Sequence, residues 1–363
     1  FLCLPYAYLA GMPKSATSVF FEEMAKSHPL VTSNCDGLKF KEPQWWTRNA
    51  EKRSLEAYLT QTYNSESCKK GHRRWLSAPG SSSSPYSKRF LSPLTQVAQS
   101  PGKIFMDGSV QLFWEPSLHG TVRHDILPPD VLRLVQPNAR IIAILRDPTM
   151  RLWSEFTWFK GGGSSASVFA NRSLRGMQLL ERCHCTEIPC SPSNIQGIYR
   201  GESLVQGGED CSSSGTTKSA IDKSRVAYGT RVWIGLYWVY AVEWLKVFPA
   251  DQILLVETNS VWNNLPSTLA RIHSFLGLPS KDDVHLPSQS ASAPTLFASR
   301  TTPSATSFAS KVKSGASSTM TYDTEVLLRR FYDPFNQALA DLTGDRSFLW
   351  PAVPPPKRKE KSE

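Results

Sequence analysis

Residues Lys14-Ser15-Ala16-Thr17-Ser18 set one mobile cation and three hydroxyls within a single short segment. They follow Gly11-Met12-Pro13, an apolar run precedes them, and a helical pattern begins at about residue 19. Strand, short loop and helix in that order form a cradle for an anion. The first N–H groups of a helix have no intrahelical acceptor, and the helix dipole adds a positive field at the same place. The segment is not the G-x4-G-K-[ST] phosphate loop of nucleotide kinases, because Lys14 follows Gly11 with no second glycine before it. For the pentapeptide alone, an ordinary loop that binds nothing is the plain alternative.

A second constellation, Arg146-Asp147-Pro148-x-x-Arg151-x-x-Ser154, leaves the end of the apolar run Arg140-Ile141-Ile142-Ala143-Ile144-Leu145. Ligands of open α/β sheets sit at the carboxyl ends of such strands. Arg146 offers a planar fork for a phosphate, and Ser154 reaches the same region from the helix that follows. Arg151 is expected to pair with Asp147 as a structural contact. A third segment, Lys41-Glu42-Pro43-Gln44-Trp45-Trp46-Thr47-Arg48, holds one carboxylate among aromatic and basic residues. Glu42 is a candidate acid–base group there; its alternative is an ion pair with Lys41 or Arg48.

These groups need elements to hold them. Hydrophobic patterning predicts strands over residues 1–10, 103–107, 140–145 and 252–257. It predicts helices over 19–27, 128–135, 149–159, 230–248, 265–276 and 323–342. The aromatic stripe Trp233, Leu236, Tyr237, Tyr240 and Trp244 is read as core. Strands alternating with helices give an α/β, P-loop-like three-layer fold: a central parallel sheet with helices on both faces. One domain over residues 1–350 is expected, with Ser/Gly-rich insertions near 77–93, 161–170, 205–220 and 288–318 and a disordered basic tail over 351–363.

Composition narrows the partners. The chain has 363 residues, 11 Trp, 17 Phe, 11 Tyr and a formal net charge of +10. That aromatic content excludes collagen and wholesale disorder. The positive charge is spread through the body and suits a polyanionic partner. No run of 18 apolar residues is present, so no membrane span is expected within the chain. The chain opens at Phe1, inside an apolar run, and reads as a fragment of something longer. Cys183, Cys185, Cys190 and Cys211 cluster in a Ser/Gly-rich stretch; disulfides are the preferred reading and zinc the rival. Asn171-Arg172-Ser173 is an N-glycosylation sequon, and both signals lean towards an oxidising, secretory compartment.

The first two constellations, in this order and separation, resemble the 5′-phosphosulfate loop and the 3′-phosphate motif of sulfotransferases that use 3′-phosphoadenosine 5′-phosphosulfate. The segment at 41–48 resembles the Glu-Pro-His-Phe-Phe type of heparan sulfate 3-O-sulfotransferases. It is closer to the Lys-Glu-Pro-His-Trp-Trp type of N-acetylgalactosamine 4-sulfate 6-O-sulfotransferases. Gly235-Leu236-Tyr237, Trp244-Leu245, Phe248-Pro249 and Gln252 resemble the helix–strand block of the Golgi enzymes, and Phe331-Tyr332-x-Pro334-Phe335-Asn336 resembles their closing helix. Two departures stand out: Ala16 replaces the usual Gly, and Gln44 replaces the usual His. Ala16 is expected to force the loop to do without a residue at positive φ.

The resemblance implies a carbohydrate O-sulfotransferase of the Golgi lumen or secretory pathway, anchored, if at all, by a segment outside this chain. Glu42 would be the base and Lys14 the cation at the leaving phosphate. Lys14, Ser15, Ala16, Thr17, Ser18, Arg146 and Ser154 would bind the nucleotide, with Lys311 and Lys313 on a loop above it. No metal is required and no nucleic acid is implied. The acceptor would be a polyanionic glycan, held by Trp45 and Trp46 if they are not core, and by Arg48, Lys52, Arg53 and the basic run at 69–74. An inactive relative that binds sulfated glycan or nucleotide is the alternative, and Asp107 is the next carboxylate in line should Glu42 not act.

Overall fold

The computed structural model describes residues 4–32, 41–49, 54, 58, 104–118, 121–122, 126–159, 165–184, 191–193, 195, 230–280 and 319–350. Five parallel strands make the central sheet: β1 (Ala7–Gly11), β2 (Val31–Thr32), β3 (Ile104–Asp107), β6 (Arg140–Leu145) and β7 (Ile253–Glu257). A separate two-stranded ribbon pairs β4 (Ser117–Leu118) with β5 (Thr121–Val122). The sheet order β2-β3-β1-β6-β7 puts β1 at the centre, with β3 on one side and β6 on the other. The helices are α1 (Thr17–Ser27), α2 (Pro128–Val135), α3 (Pro148–Phe159), α4 (Ala166–His184), α5 (Tyr237–Val247), α6 (Thr258–Asn263), α7 (Leu265–Phe275) and α8 (Tyr322–Thr343).

The two-residue period of the strands divides the core into two layers. Ala7, Leu9, Ile142, Ile144, Leu254 and Val256 face Phe20, Phe21 and Met24 of α1 and Leu269 and Ile272 of α7. Tyr8, Ala10, Ile141, Ala143, Leu145 and Leu255 belong to the opposite layer, with Leu132, Leu152, Phe169, Tyr240 and Leu328 from α2, α3, α4, α5 and α8. Both faces are covered, so the central strands are apolar along their length, with charged residues only at their ends: Asp107 on β3, Arg140 on β6 and Glu257 on β7. The α/β fold expected from the sequence is the one observed, and residues 128–135 and 140–145 keep their predicted bounds.

Three expectations are corrected. The first strand begins at Ala7 rather than at the start of the chain. The insertion assigned to 161–170 gives way at residue 166 to α4, a helix of 19 residues. Ser165 caps it: its Oγ accepts from the Val168 N–H at 3.3 Å. Cys183 and the sequon therefore sit on a helix and not in a loop, with Asn171 exposed and Ser173 buried. The single helix expected over 230–248 is a short 3-10 turn, Val232–Gly235, followed by α5. The insertions near 77–93, 205–220 and 288–318, the tail 351–363, and Cys185, Cys190 and Cys211 lie outside the described residues.

The break before α5 has a steric cause. A Cβ on Gly235 would stand 2.7 Å from the Tyr332 ring and 2.8 Å from Pro148 Cβ, so the chain passes here only without a side chain. Tyr332 in turn donates its hydroxyl to the Val232 carbonyl at 2.7 Å. Gly235→Ala should destabilise the fold by about 1–3 kcal/mol, the usual cost of overpacking. A urea denaturation series would read this as a lower midpoint at unchanged slope; an unchanged midpoint would show that this junction yields freely.

Candidate active site

The β1–α1 turn is built on two residues in the left-handed region. Lys14 has φ 67° and Ala16 has φ 60°. An L-residue there costs roughly 1–2 kcal/mol relative to its right-handed conformation. The expectation that Ala16 would keep the loop out of positive φ is thus overturned: the alanine adopts the conformation a glycine would take. The turn delivers α1 with no side-chain cap and no acidic residue in its first turn. The first bond closing the helix is Phe20 N–H to Ala16 C=O at 3.1 Å. The N–H groups ahead of it face the turn, where a helix start attracts an anion. Ser15 Oγ is buried without a hydrogen-bond partner. Thr17 is buried and Ser18 is exposed.

Arg146 closes the other side of this pocket. It follows β6 directly, and its Nη1 donates to the Lys14 carbonyl at 3.1 Å. The Tyr237 hydroxyl donates to the Arg146 carbonyl at 2.7 Å and fixes the turn from α5. Burial lowers the pKa of Lys14, and the neighbouring Arg146 charge lowers it further. Burial likewise lowers Arg146. Two half-desolvated cations side by side are relieved by an anion between them. Ser154 is half-buried on α3. The donor set of cations, hydroxyls, helix N–H groups and one orphaned buried hydroxyl fits a phosphate-bearing ligand.

Asp147 and Arg151 are structural, though not as a pair. Asp147 Oδ1 accepts from the N–H groups of Thr149 at 2.9 Å and Met150 at 3.3 Å, capping α3. Its other oxygen meets Arg329 of α8 at 2.8 Å. Arg151, fully buried, binds Glu155 at 2.6 Å, and Glu155 also binds Arg231. Asp147 and Glu155 both stand four residues from Arg151, but Asp147 is already engaged by the helix start and by Arg329.

Glu42 is joined to the start of α1 through Lys41. Its Oε1 meets Lys41 Nζ at 2.9 Å, and its side chain keeps 30% of its exposure. Lys41 is buried and also donates to Thr17 Oγ1 at 3.2 Å, joining Glu42 to the anion cradle. The Lys41 carbonyl accepts from Gly108 N–H at 2.9 Å, just beyond β3. A Cβ at Gly108 would stand 2.6 Å from Lys41 Cγ, so only glycine admits the lysine stem. Gln44, at φ 53°, donates its N–H to Ser109 Oγ at 2.9 Å. Asp107 is fully buried and accepts from Tyr58 Oη at 2.7 Å and Ser109 N–H at 2.8 Å. Burial pushes its carboxyl up despite those bonds, and the Glu42 charge adds to the push. Of the two carboxylates, Glu42 is the one open to an incoming substrate.

Trp46 is buried, and Trp45 stacks on Tyr58 with ring centroids 5.4 Å apart, so both tryptophans are packing residues. Lys311, Lys313, Lys52, Arg53 and the run at 69–74 lie outside the described residues. Sequence reasoning missed the role of Lys41, whose one signal was a lysine directly before the candidate acid. It also missed Trp158, whose ring carries Lys14 Nζ at 3.8 Å from its centroid.

The chain is 26% identical to carbohydrate sulfotransferase 15 of Homo sapiens over 354 residues, which cover 96% of this chain and 55% of that protein. The Mus musculus protein of that name is 25% identical over the same length. The chain thus spans about half the length of the curated relatives it matches, at 55%. A solved structure, the sulfotransferase from Alicyclobacillus acidocaldarius, aligns over 94% of this chain and 96% of its own, with a TM-score of 0.44 and 14% identity. The family model described as "Sulfotransferase domain" matches residues 5–293, from β1 to beyond α7. The resemblance read from the two phosphate motifs therefore holds over most of the sequence, and the chain belongs to the sulfotransferase-domain family.

Proposed function

We propose that this chain transfers a sulfuryl group from 3′-phosphoadenosine 5′-phosphosulfate to a hydroxyl of a polyanionic, glycosaminoglycan-like glycan, in the Golgi lumen or elsewhere in the secretory pathway. The observation that supports this most is the uncapped start of α1, with Ser15 Oγ orphaned beside it and Lys14 and Arg146 on its flanks. The two curated relatives are named as carbohydrate sulfotransferases. The departures at Ala16 and Gln44 made an inactive relative thinkable. Both residues take positive φ, and Ala16 thereby adopts the conformation open to a glycine.

The co-substrate supplies a sulfuryl group activated by its bond to a phosphate. The first N–H groups of α1, with Lys14, Ser15, Thr17 and Ser18, hold the 5′ side; Ala16 contributes its backbone. Arg146 and Ser154 hold the 3′-phosphate, and Lys311 and Lys313 are assigned to the loop over the nucleotide, as the resemblance implies. Glu42 accepts the proton of the acceptor hydroxyl as that oxygen bonds to sulfur. Lys14 meets the electron pair left on the phosphate oxygen when the sulfur–oxygen bond breaks. Lys41 holds Glu42 and Thr17 in one frame, so base and cradle keep their relative positions.

Three outcomes test this reading. Arg146→Ala should weaken calorimetric binding of adenosine 3′,5′-bisphosphate by about 1–3 kcal/mol, the range for a charge-assisted contact. A parent chain that does not bind this nucleotide would sink the proposal. Glu42→Gln keeps the bond from Lys41 but cannot take a proton; kcat for transfer of labelled sulfate to desulfated glycans should fall about 10²–10⁴-fold with nucleotide affinity unchanged. Equal turnover would remove Glu42 from the mechanism and turn attention to Asp107. The third outcome concerns pH. Lys14 loses its proton below the ordinary lysine value of 10.5, and a bound anion favours its charged form. Nucleotide affinity should therefore fall as pH rises through that lowered range, and Lys14→Arg, which stays charged, should flatten the profile. A parent profile already flat to pH 10.5 would exclude Lys14 as a contact.

A further inference from the structure

We propose that the exposed rings at the end of α3, Trp158 and Phe159, form the stacking platform for the acceptor, an anionic glycan chain. The inference rests on the sulfuryl-transfer reading and assigns the side of the site that this reading leaves open.

Trp158 is 69% exposed and Phe159 is 65% exposed. Elsewhere among the described residues the Trp and Phe side chains are buried or half-buried. Large apolar rings in water mark a binding surface when they sit beside charge that selects a partner. Both rings do. Lys14 Nζ lies 3.8 Å from the Trp158 centroid. The Arg231 guanidinium lies 5.3 Å from the Phe159 centroid. Arg231 shares the carboxylate of Glu155 with Arg151, which holds its guanidinium beside Phe159.

Position then selects the occupant. Lys14 stands where the sulfuryl-bearing phosphate is held, and an attacking hydroxyl must come within about 3–3.5 Å of the sulfur. The sugar bearing that hydroxyl therefore lies within one ring width of Lys14. Trp158, in contact with the Lys14 ammonium, offers the exposed apolar face at that distance, matched to the C–H face of a pyranose. Phe159 and the charge at Arg231 continue the track towards a neighbouring sugar with a carboxylate or sulfate. Of the rings expected to do this, Trp46 is buried and Trp45 is half-buried against Tyr58.

The test uses the full chain saturated with adenosine 3′,5′-bisphosphate and three probes: a sulfated chondroitin octasaccharide, its desulfated form, and neutral maltooctaose. Trp158→Ala should raise the calorimetric Kd for the sulfated octasaccharide about tenfold, and Trp158→Phe should restore most of it. Phe159→Ala should raise the same Kd while changing nucleotide affinity less than twofold. Maltooctaose should bind most weakly. An unchanged octasaccharide Kd in Trp158→Ala overturns the platform. So does a nucleotide Kd that rises as much as the octasaccharide Kd, which would give the ring to the nucleotide. Loss of a dimer in light scattering, with glycan affinity unchanged, overturns it in favour of a second copy of the chain. A parent that binds the nucleotide but none of the octasaccharides refutes the platform alone. A parent that binds neither refutes the sulfuryl-transfer reading with it.

Discussion

A lysine ammonium withdrawn from water has to be met by a charge and by hydrogen-bond acceptors, or it destabilises the fold that buries it. Lys41 is such a lysine, and the site is arranged around satisfying it. One partner is Glu42, the other Thr17, at 2.9 and 3.2 Å. The first lies on the segment crossing the sheet edge and the second on the first turn of α1. The ammonium thereby ties the carboxylate to the cradle. The stem reaches this position only because residue 108 has no side chain, and that glycine immediately follows Asp107 at the end of β3. Three separate stretches of sequence are brought into register by one buried charge. Removing either partner leaves the other groups in place but the ammonium uncompensated, a larger loss than the missing contact alone.

The two strand-to-helix turns beside β1 and β6 differ in how they treat the helix dipole. At α3 the positive end is consumed internally: Asp147 caps two N–H groups and is pinned by Arg329. At α1 no side chain caps the helix and no acid lies in the first turn. Lys14 and Arg146 then raise the positive potential at the one turn left open. Burial disfavours both cations there, as their lowered pKa values record. The backbone strain at Lys14 and Ala16 falls in this same turn, and strained φ angles persist where the surrounding structure over-determines them.

Much of this was legible in the sequence. Residues 141–145 form an unbroken apolar run of the kind a strand buried on both faces uses, and Pro128 and Pro129 open α2 where prolines are tolerated. The turn Lys14 to Ser18 and the Arg146 corner could be read because local composition specifies them. What could not be read depended on distant partners. Helix α4 was hidden by the glycines before it; its buried positions Phe169, Ser173, Met177 and Leu180 do repeat at helical spacing, but a serine among them weakens the pattern. Arg151 was assigned to Asp147 because nothing local reveals that Arg329, from the far end of the chain, claims that carboxylate. The positive φ of Ala16 was invisible for the same reason: propensity argues against it, and tertiary packing overrides propensity.

Aromatic residues make up 11% of the chain, and most of those described are consumed by the core. Trp233, Tyr237, Tyr240 and Trp244 fill the layer behind β6 and β7, and the hydroxyls of Tyr237 and Tyr240 each donate to a main-chain carbonyl. Tyrosine and tryptophan are stable in a core on that condition, a polar end that finds a partner. The adjacent pair Trp45 and Trp46 is held by ring packing instead, for Trp46 Nε1 is buried without a hydrogen-bond partner. Their short helical segment packs one ring on Tyr58 and sends the other beneath it, and Tyr58 then reaches Asp107. A surface ring must be supported differently, by a cation on its face. Trp158 has one from Lys14 and Phe159 one from Arg231. Their exposure costs apolar hydration that the core aromatics avoid, and the fold accepts that cost directly beside the half-buried Lys14.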